Sequence, residues 1–298
     1  RTQKWTLVAT GDVIPARSVN YQMTVRNDFS WSIAGIADLL KSGDITLINL
    51  ESPLIPDCPL TNEGMVFCGD QKFIESLTLA GVDVANLANN HSLNQGFEGL
   101  RETENFLNQN GIHTTGYTRD DTCAGQSWCS RKTILEIRGV KVGFLGYSTV
   151  GVTVDREALA RDISSFDADV DLMVVSFHWG AEYTRVPRGF PDDPREIGHL
   201  AVNSGADVVI GNHPHWIQGL EYYQDKPIFY ALGNTIFDQE WSSQTKEGII
   251  AQLQFDGTKL TDIIITPIGI RHYGEAYSME GTEKARVLQI FEEASGEL

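Results

Sequence analysis

Apolar runs that suit β-strands alternate along this chain with segments whose apolar residues recur at helical spacing. We predict strands at Trp5–Thr10, Ile45–Leu50, Val82–Leu87, Val170–Phe177 and Ala206–Gly211, with later strands at Pro227–Leu232, Gly248–Phe255 and Thr261–Ile268. Helices are predicted near 33–40, 73–77, 97–107, 156–166, 197–201 and 282–294, and a shorter strand pair near 132–145. This alternation predicts an α/β fold with a substantial parallel sheet.

Polar residues directly follow several of the predicted strands. They are Asp12, Glu51, Asn90, His91, His178, His213 and His215. In open α/β sheets, ligands bind beyond the carboxyl ends of the strands. Strand ends that together supply carboxylate, amide and imidazole groups therefore indicate one shared site.

The chemistry of these groups favours divalent metal ions. Carboxylates, imidazoles and amide oxygens ligate such ions, and two ions about 4 Å apart can clamp a phosphoryl group. We predict six metal ligands: Asp12, Glu51, Asn90, His178, His213 and His215. His91, together with its neighbour Asn90, is assigned to catalysis, with His91 as the proton donor to a leaving group. Each residue alone also has a structural interpretation, such as a helix cap for Asp12 or a hydrogen-bonded core histidine for His178.

Composition narrows the class of protein. The 298 residues are 41% hydrophobic and 21% charged, which excludes collagen-like, coiled-coil and wholly disordered chains. The net charge of −17 disfavours nonspecific binding to nucleic acid or anionic lipid, so we expect no nucleic-acid partner. No apolar run approaches the roughly 18 residues that a membrane helix needs, so we expect no membrane insertion by this chain.

Four cysteines bear on the compartment. Cys58, Cys68, Cys123 and Cys129 lie in predicted loops, and neither neighbouring pair has the C-x2-C spacing of a zinc site. Two short disulfides, 58–68 and 123–129, would staple two loops; three connectivities are possible and the sequence does not choose among them, and four reduced thiols are the alternative. Disulfides would place the protein outside the cytoplasm. The first five residues do not form a signal peptide, so in that case a leader or tether would be absent from this chain.

In combination, the motifs resemble those of the CapA/PgsA family of bacterial capsule, or poly-γ-glutamate, synthesis proteins. The motifs are Ala9–Asp12, Asn49–Glu51, Ala88–His91, Ser176–Gly180, Gly211–His215 and Tyr230–Phe237. The resemblance runs from about Thr6 to Asp238, and we expect one domain over 1–298 that the strands and helix of 248–298 complete. The family is similar to calcineurin-like metallophosphatases. The resemblance therefore implies a four-layer α/β/β/α sandwich, a two-metal site, and an extracytoplasmic, cell-surface location with an N-terminal membrane tether.

The resemblance also implies how the ligands are shared. Asn90, His178 and His213 would hold one metal with Glu51, and Asp12 and His215 would hold the other with Glu51 as the bridge. In the phosphatases the first motif continues Asp-x-His, but Ile14 stands here in place of the histidine, and Asn212 replaces the first histidine of the Gly-His-x-His motif. The expected cofactors are one or two Mn, Zn or Fe ions.

Substrate contacts are assigned to Arg17, Glu182, Arg185, Arg188 and Asn234. The segment after His178 would form a loop that binds a carboxylate or phosphate. The alternatives are a surface ion pair for Arg17, an ordinary solvated loop at 180–191, and a supporting role for Asn234. We treat His113, His199 and His272 as structural.

Three functions remain in competition. The first is a CapA-type component of capsule production that handles an anionic polymer or a phosphorylated intermediate, with a membrane-embedded synthase as a candidate partner. The second is a surface phosphoesterase that acts on a small phosphoester. The third is a non-catalytic module that binds the polymer. The charge of −17 opposes binding of a polyanion except through local metal or arginine contacts.

Overall fold

Two β-sheets stacked face to face form the centre of the protein in the computed structural model, which describes residues 3–65, 67–117 and 130–298. The strands of the first sheet, in spatial order, are β16 (Glu275–Ser278), β15 (Lys259–Arg271), β14 (Glu247–Asp256), β1 (Lys4–Val13), β2 (Ile45–Leu50), β5 (Val84–Asn86) and β6 (His113–Thr115). Strand β13 (Asn234–Ile236) pairs with β1 off this path. The half from β1 to β6 is parallel, and the half from β16 to β1 is antiparallel.

The second sheet has a parallel centre with a hairpin at each edge. Its strands, in spatial order, are β11 (Leu220–Tyr223), β12 (Lys226–Phe229), β10 (Val208–Asn212), β9 (Leu172–His178), β8 (Val140–Ser148) and β7 (Thr133–Ile137). Strands β12, β10, β9 and β8 are parallel to one another. A small parallel pair, β3 (Leu54–Ile55) and β4 (Gly69–Asp70), stands apart from both sheets.

Helices cover the outer faces of the two sheets. Those associated with the first sheet are α1 (Ser18–Arg26), α2 (Ala37–Leu40), α3 (Ile74–Leu79) and α4 (Gly96–Gln109). Those on the second sheet are α5 (Arg156–Asp167) and α6 (Pro194–Asn203), and α7 (Gly281–Gly296) packs on the core between the sheets. Single 3-10 turns occur at Gln71–Phe73 and Gln244–Lys246.

Alternation of side chains along the strands produces three apolar layers. Leu7 packs between the sheets with Phe144 and Val174, whereas Val8, its neighbour in the chain, faces the helices of the first sheet. Val175 faces α5 and α6 on the other side of the second sheet. The α/β fold predicted from the sequence pattern and the four-layer α/β/β/α sandwich implied by the resemblance are therefore confirmed.

Local signals in the sequence fix where several helices begin and end. The Asp155 carboxylate accepts a hydrogen bond from the Ala158 amide at the start of α5, and Asp193 caps α6 ahead of Pro194. The chain leaves α4 through Gly111 at φ 81°, a left-handed conformation that glycine adopts without a Cβ clash.

A disulfide joins Cys58 to Cys68, one of the two expected pairings. Cys123 and Cys129 lie outside the described residues, so the second pairing stays a prediction. Within residues 3–65, 67–117 and 130–298, no helix has the length and apolarity that a membrane crossing requires.

Candidate metal centre

The six predicted metal ligands meet at the carboxyl ends of strands from both sheets. Asp12 lies near the end of β1, and Glu51 directly follows β2. His178 ends β9, whereas His213 and His215 follow β10. Asn90 comes from the loop after β5. Five of these residues are buried, and Asn90 is exposed.

One group of ligating atoms surrounds His178. Atoms of Glu51, His178 and His213 lie within 4.8 Å of one another. His178 Nε2 is 3.3 Å from Glu51 Oε1 and 3.1 Å from His213 Nδ1. Asn90 Oδ1 lies 2.9 Å from the same His178 nitrogen. Four side chains thus converge on one position.

A second group shares Glu51 with the first. Asp12, Glu51 and His215 also bring ligating atoms within 4.8 Å of one another. His215 Nδ1 is 3.1 Å from Asp12 Oδ2. Glu51 belongs to both groups, so its carboxylate is within reach of the ligating atoms of each.

Glu51 supplies the test of whether these residues fit a metal. Its side chain is fully buried, and within the described part of the chain neither carboxylate oxygen has a hydrogen-bond partner. Burial, together with the nearby charge of Asp12, raises the pKa of Glu51 well above its usual value. A buried carboxylate without hydrogen bonds is costly in a folded protein, and a bound cation removes that cost. The donor set fits a divalent ion.

The histidines differ in their readiness to bind a metal. Burial lowers the pKa of His178 to about 3, and burial is also the main cause that lowers the pKa of His213 well below its usual value. Both rings are therefore neutral, which is the form that ligates metals. Burial also lowers the pKa of His215, but its hydrogen bond to Asp12 and the charge of Glu51 outweigh that effect and raise it to about 9.

The carboxylate of Asp12 is stabilised in its charged form. Burial raises its pKa, but the hydrogen bond and charge of His215 outweigh burial and bring the value to about 2. Asn49 Nδ2 donates to Asp12 Oδ1 over 2.8 Å and lies 3.4 Å from His178 Nδ1. Asn86 Nδ2 in turn donates to Asn49 Oδ1 over 3.1 Å. Sequence reasoning missed these two asparagines as supports for the site.

His91 lies beside the ligand groups without belonging to either of them. Its Nδ1 is 2.9 Å from Asn94 Oδ1, and its ring stacks on Phe67 with centroids 4.0 Å apart. Burial lowers its pKa, which keeps the ring neutral. Phe67 was not singled out in the sequence.

The predicted substrate residues lie in different surroundings. Arg17 forms an ion pair with Asp238 and lies over the rings of Phe67 and Phe237. Asn234 is fully buried, and its Oδ1 is 2.9 Å from His215 Nδ1.

The loop after His178 carries the other three predicted substrate residues. Arg185 lies 3.7 Å from Glu247 Oε2 and donates to the Ile217 carbonyl over 3.2 Å. Arg188 is exposed. Glu182 is also exposed, and one of its oxygens lies within 4.8 Å of ligating atoms of His213 and His215.

The fold and site define a protein of metallophosphatase-like architecture with carboxylate and histidine groups at its strand ends. The family model described as "Bacterial capsule synthesis protein PGA_cap" matches residues 6–239. The chain belongs to this family.

Named relatives agree with that assignment. The capsule biosynthesis protein CapA of Bacillus anthracis is 27% identical, over 96% of this chain and 72% of that protein. The PGA biosynthesis protein CapA of Bacillus subtilis strain 168 is 26% identical, over 87% of this chain and 70% of that protein.

Two crystal structures share the fold at low sequence identity. A hypothetical protein from Thermus thermophilus superposes with a TM-score of 0.56 and 14% identity, covering 89% of this chain and 100% of that one. A putative 5'-nucleotidase from Staphylococcus aureus gives a TM-score of 0.52 and 13% identity, covering 96% of this chain and 58% of that one. These likenesses establish the architecture alone.

Proposed function

We propose that this protein acts outside the cytoplasm in the biosynthesis of a poly-γ-glutamate or related anionic capsule, through a dinuclear divalent metal centre. The observation that carries the proposal is Glu51, whose buried oxygens have no hydrogen bond and which belongs to both ligand groups. The family and the two CapA relatives support the biological role. The disulfide between Cys58 and Cys68 supports the location.

A metal centre would explain how a protein of negative net charge can bind a polymer that is also negatively charged. A net charge of −17 repels a polyanion at long range. The first position would be held by Glu51, His178, His213 and Asn90, and the second by Asp12, Glu51 and His215. Bound ions would supply local positive charge for a carboxylate or phosphate group and would lower the pKa of a water there.

Other side chains would orient the metal ligands, move a proton and attract the substrate. Asn49 holds Asp12, and Asn234 holds His215, so the ligands keep their orientation. His91 contacts Asn94 through Nδ1 and would move a proton at Nε2 to or from the substrate. Arg188 is exposed on the loop after β9, where an anionic chain would approach.

The experiment is a chromosomal replacement in the organism that encodes the protein. Glu51→Gln removes the shared carboxylate charge with little change in volume, and Glu157→Gln provides a control at an exposed site on α5. Polymer amount and chain length are measured, with protein level checked by immunoblot. We expect Glu51→Gln to reduce or shorten the polymer and Glu157→Gln to leave both unchanged. Normal polymer in the Glu51→Gln strain would contradict the proposal.

A second candidate is hydrolysis of a small phosphoester at the same centre. The position of His91, buried beside the ligands and outside both ligand groups, favours it. The test is turnover of a phosphoester panel with Mn²⁺ supplied, comparing the wild type with His91→Asn. Turnover that falls about 10²-fold or more in the variant would support hydrolysis. No turnover by the wild type would remove this candidate.

A further inference from the structure

A third group of ligating atoms lies at the same centre, made of His213, His215 and Glu182. We infer that Glu182 is a metal ligand and that it replaces the histidine missing at position 14. This inference rests on the dinuclear centre proposed above. It changes the interpretation of Glu182, which the sequence assigned to substrate binding.

Position 14 cannot supply a ligand in this fold. Ile14 is fully buried in a small apolar cluster with Ala16, Phe67 and Phe237. The second metal position is therefore left with three side chains, whereas the amide oxygen of Asn90 gives the first position a fourth. Catalytic zinc sites hold three protein ligands and keep a fourth position that water or a further donor can take. The second position therefore has room for a donor from elsewhere in the chain.

The backbone holds Glu182 against the two histidines that follow β10. The Ala181 amide donates to the Arg188 carbonyl over 2.8 Å, which closes the loop. The Tyr183 amide donates over 2.9 Å to the carbonyl of Pro214, the residue between the two histidines. Hydrogen bonds thus fix the backbone on both sides of Glu182, and one of them ties it to the segment that carries His213 and His215.

The conformation of the neighbouring residue supports a fixed placement. Tyr183 adopts φ 58°, a left-handed conformation that is uncommon outside glycine and that persists where the surroundings impose it. Gln239 Nε2 donates to the Tyr183 hydroxyl over 3.0 Å. The ring of Tyr183 also lies 6.0 Å from that of His215. Tyr183 therefore packs beside the centre, and this also holds the preceding residue, Glu182, next to the centre.

The charge of Glu182 acts on the centre. It helps to raise the pKa of His215 and that of Glu51, although each effect is smaller than those of nearer groups. Arg185, from the same loop, pairs with Glu247 instead. In the described residues, Glu182 forms no ion pair with an arginine or lysine. An exposed carboxylate held next to two histidines, without a basic partner, fits a cation ligand on the solvent side.

The test is calorimetric titration of the metal-free protein with Mn²⁺, followed by electron paramagnetic resonance of the loaded samples. Glu182→Gln removes the ligand, Glu182→His restores a donor without the negative charge, and Glu157→Gln is the exposed control. Glu182 is on the surface, so these changes leave the core intact. Circular dichroism checks the fold of each variant.

We expect the wild type, Glu182→His and Glu157→Gln to bind two ions and to give the spectrum of a coupled pair. Glu182→Gln should keep the first ion and bind the second about tenfold or more weakly, with a spectrum of isolated Mn²⁺. Two ions bound by Glu182→Gln with unchanged affinity would overturn the inference and leave the dinuclear centre standing. A wild type that binds no second ion would overturn the dinuclear centre itself.

Discussion

Removal of the disulfide between Cys58 and Cys68 should lower the free energy of unfolding by an amount that depends on the length of the loop that the bond closes. The bond closes a loop with a sequence separation of 10. Loop-closure entropy for about 10 residues corresponds to about 2.7 kcal/mol at 25 °C. With an unfolding entropy of about 2.1 cal/mol/K per residue over 298 residues, this loss lowers the melting temperature by about 4 °C.

The assay compares the wild type with Cys58→Ala/Cys68→Ala in thermal melts followed by circular dichroism, without reductant. Peptide mapping under non-reducing conditions verifies the bond in the wild type. Because Phe67 adjoins Cys68 and its amide donates to Asn94 Oδ1, the variant should also loosen the support of His91. An unchanged melting temperature, with the bond verified in the wild type, would refute the loop-closure reasoning.

Three further predictions concern the centre. Gly11→Ala would place a Cβ 1.9 Å from the Gly233 carbonyl oxygen, so the backbone of β1 must shift next to Asp12. The affinity for Mn²⁺, measured by calorimetry, should therefore fall. The control is Gly296→Ala, whose new Cβ meets nothing within 4 Å and should leave the affinity unchanged. His91→Asn should leave the metal content unchanged in mass spectrometry, because His91 ligates neither position; a loss of metal would contradict its assignment as a proton carrier. At a free Mn²⁺ concentration of about 100 times Kd, each bound ion stabilises the fold by about 2.7 kcal/mol, so removal of the metal with EDTA should lower the melting temperature accordingly. Identical melts with and without EDTA would show that the metal does not stabilise the fold.

The sequence predicted the fold where apolar runs were long. Strands β2 and β9 are buried along their whole length, and most of their residues are apolar, which marked them clearly. Helix α1 was not predicted, because its buried side chains are Val19, Asn20 and Met23, a set that lacks a clear apolar repeat. The pair β3 and β4 has two residues per strand, which is too short for any periodic signal.

The candidate site was also predicted only in part: its ligands were found from the sequence, but the residues that support them were not. The ligands were predictable because each lies at or shortly after the carboxyl end of a strand, and a sheet brings these ends together. Their supports were not, because the contacts of Asn49 depend on register: it pairs with Asp12 across β1 and β2, and with Asn86 across β2 and β5. A one-residue slip would reverse which face each side chain occupies, and no local pattern fixes that register.

Metal content per chain tests the central claim most directly. The wild type and Glu51→Ala are loaded with Mn²⁺, desalted and measured by mass spectrometry. The account predicts about two ions per wild-type chain and a sharp fall in the variant, because the buried carboxylate belongs to both ligand groups. One ion or none in the wild type, or an unchanged content in Glu51→Ala, would contradict it.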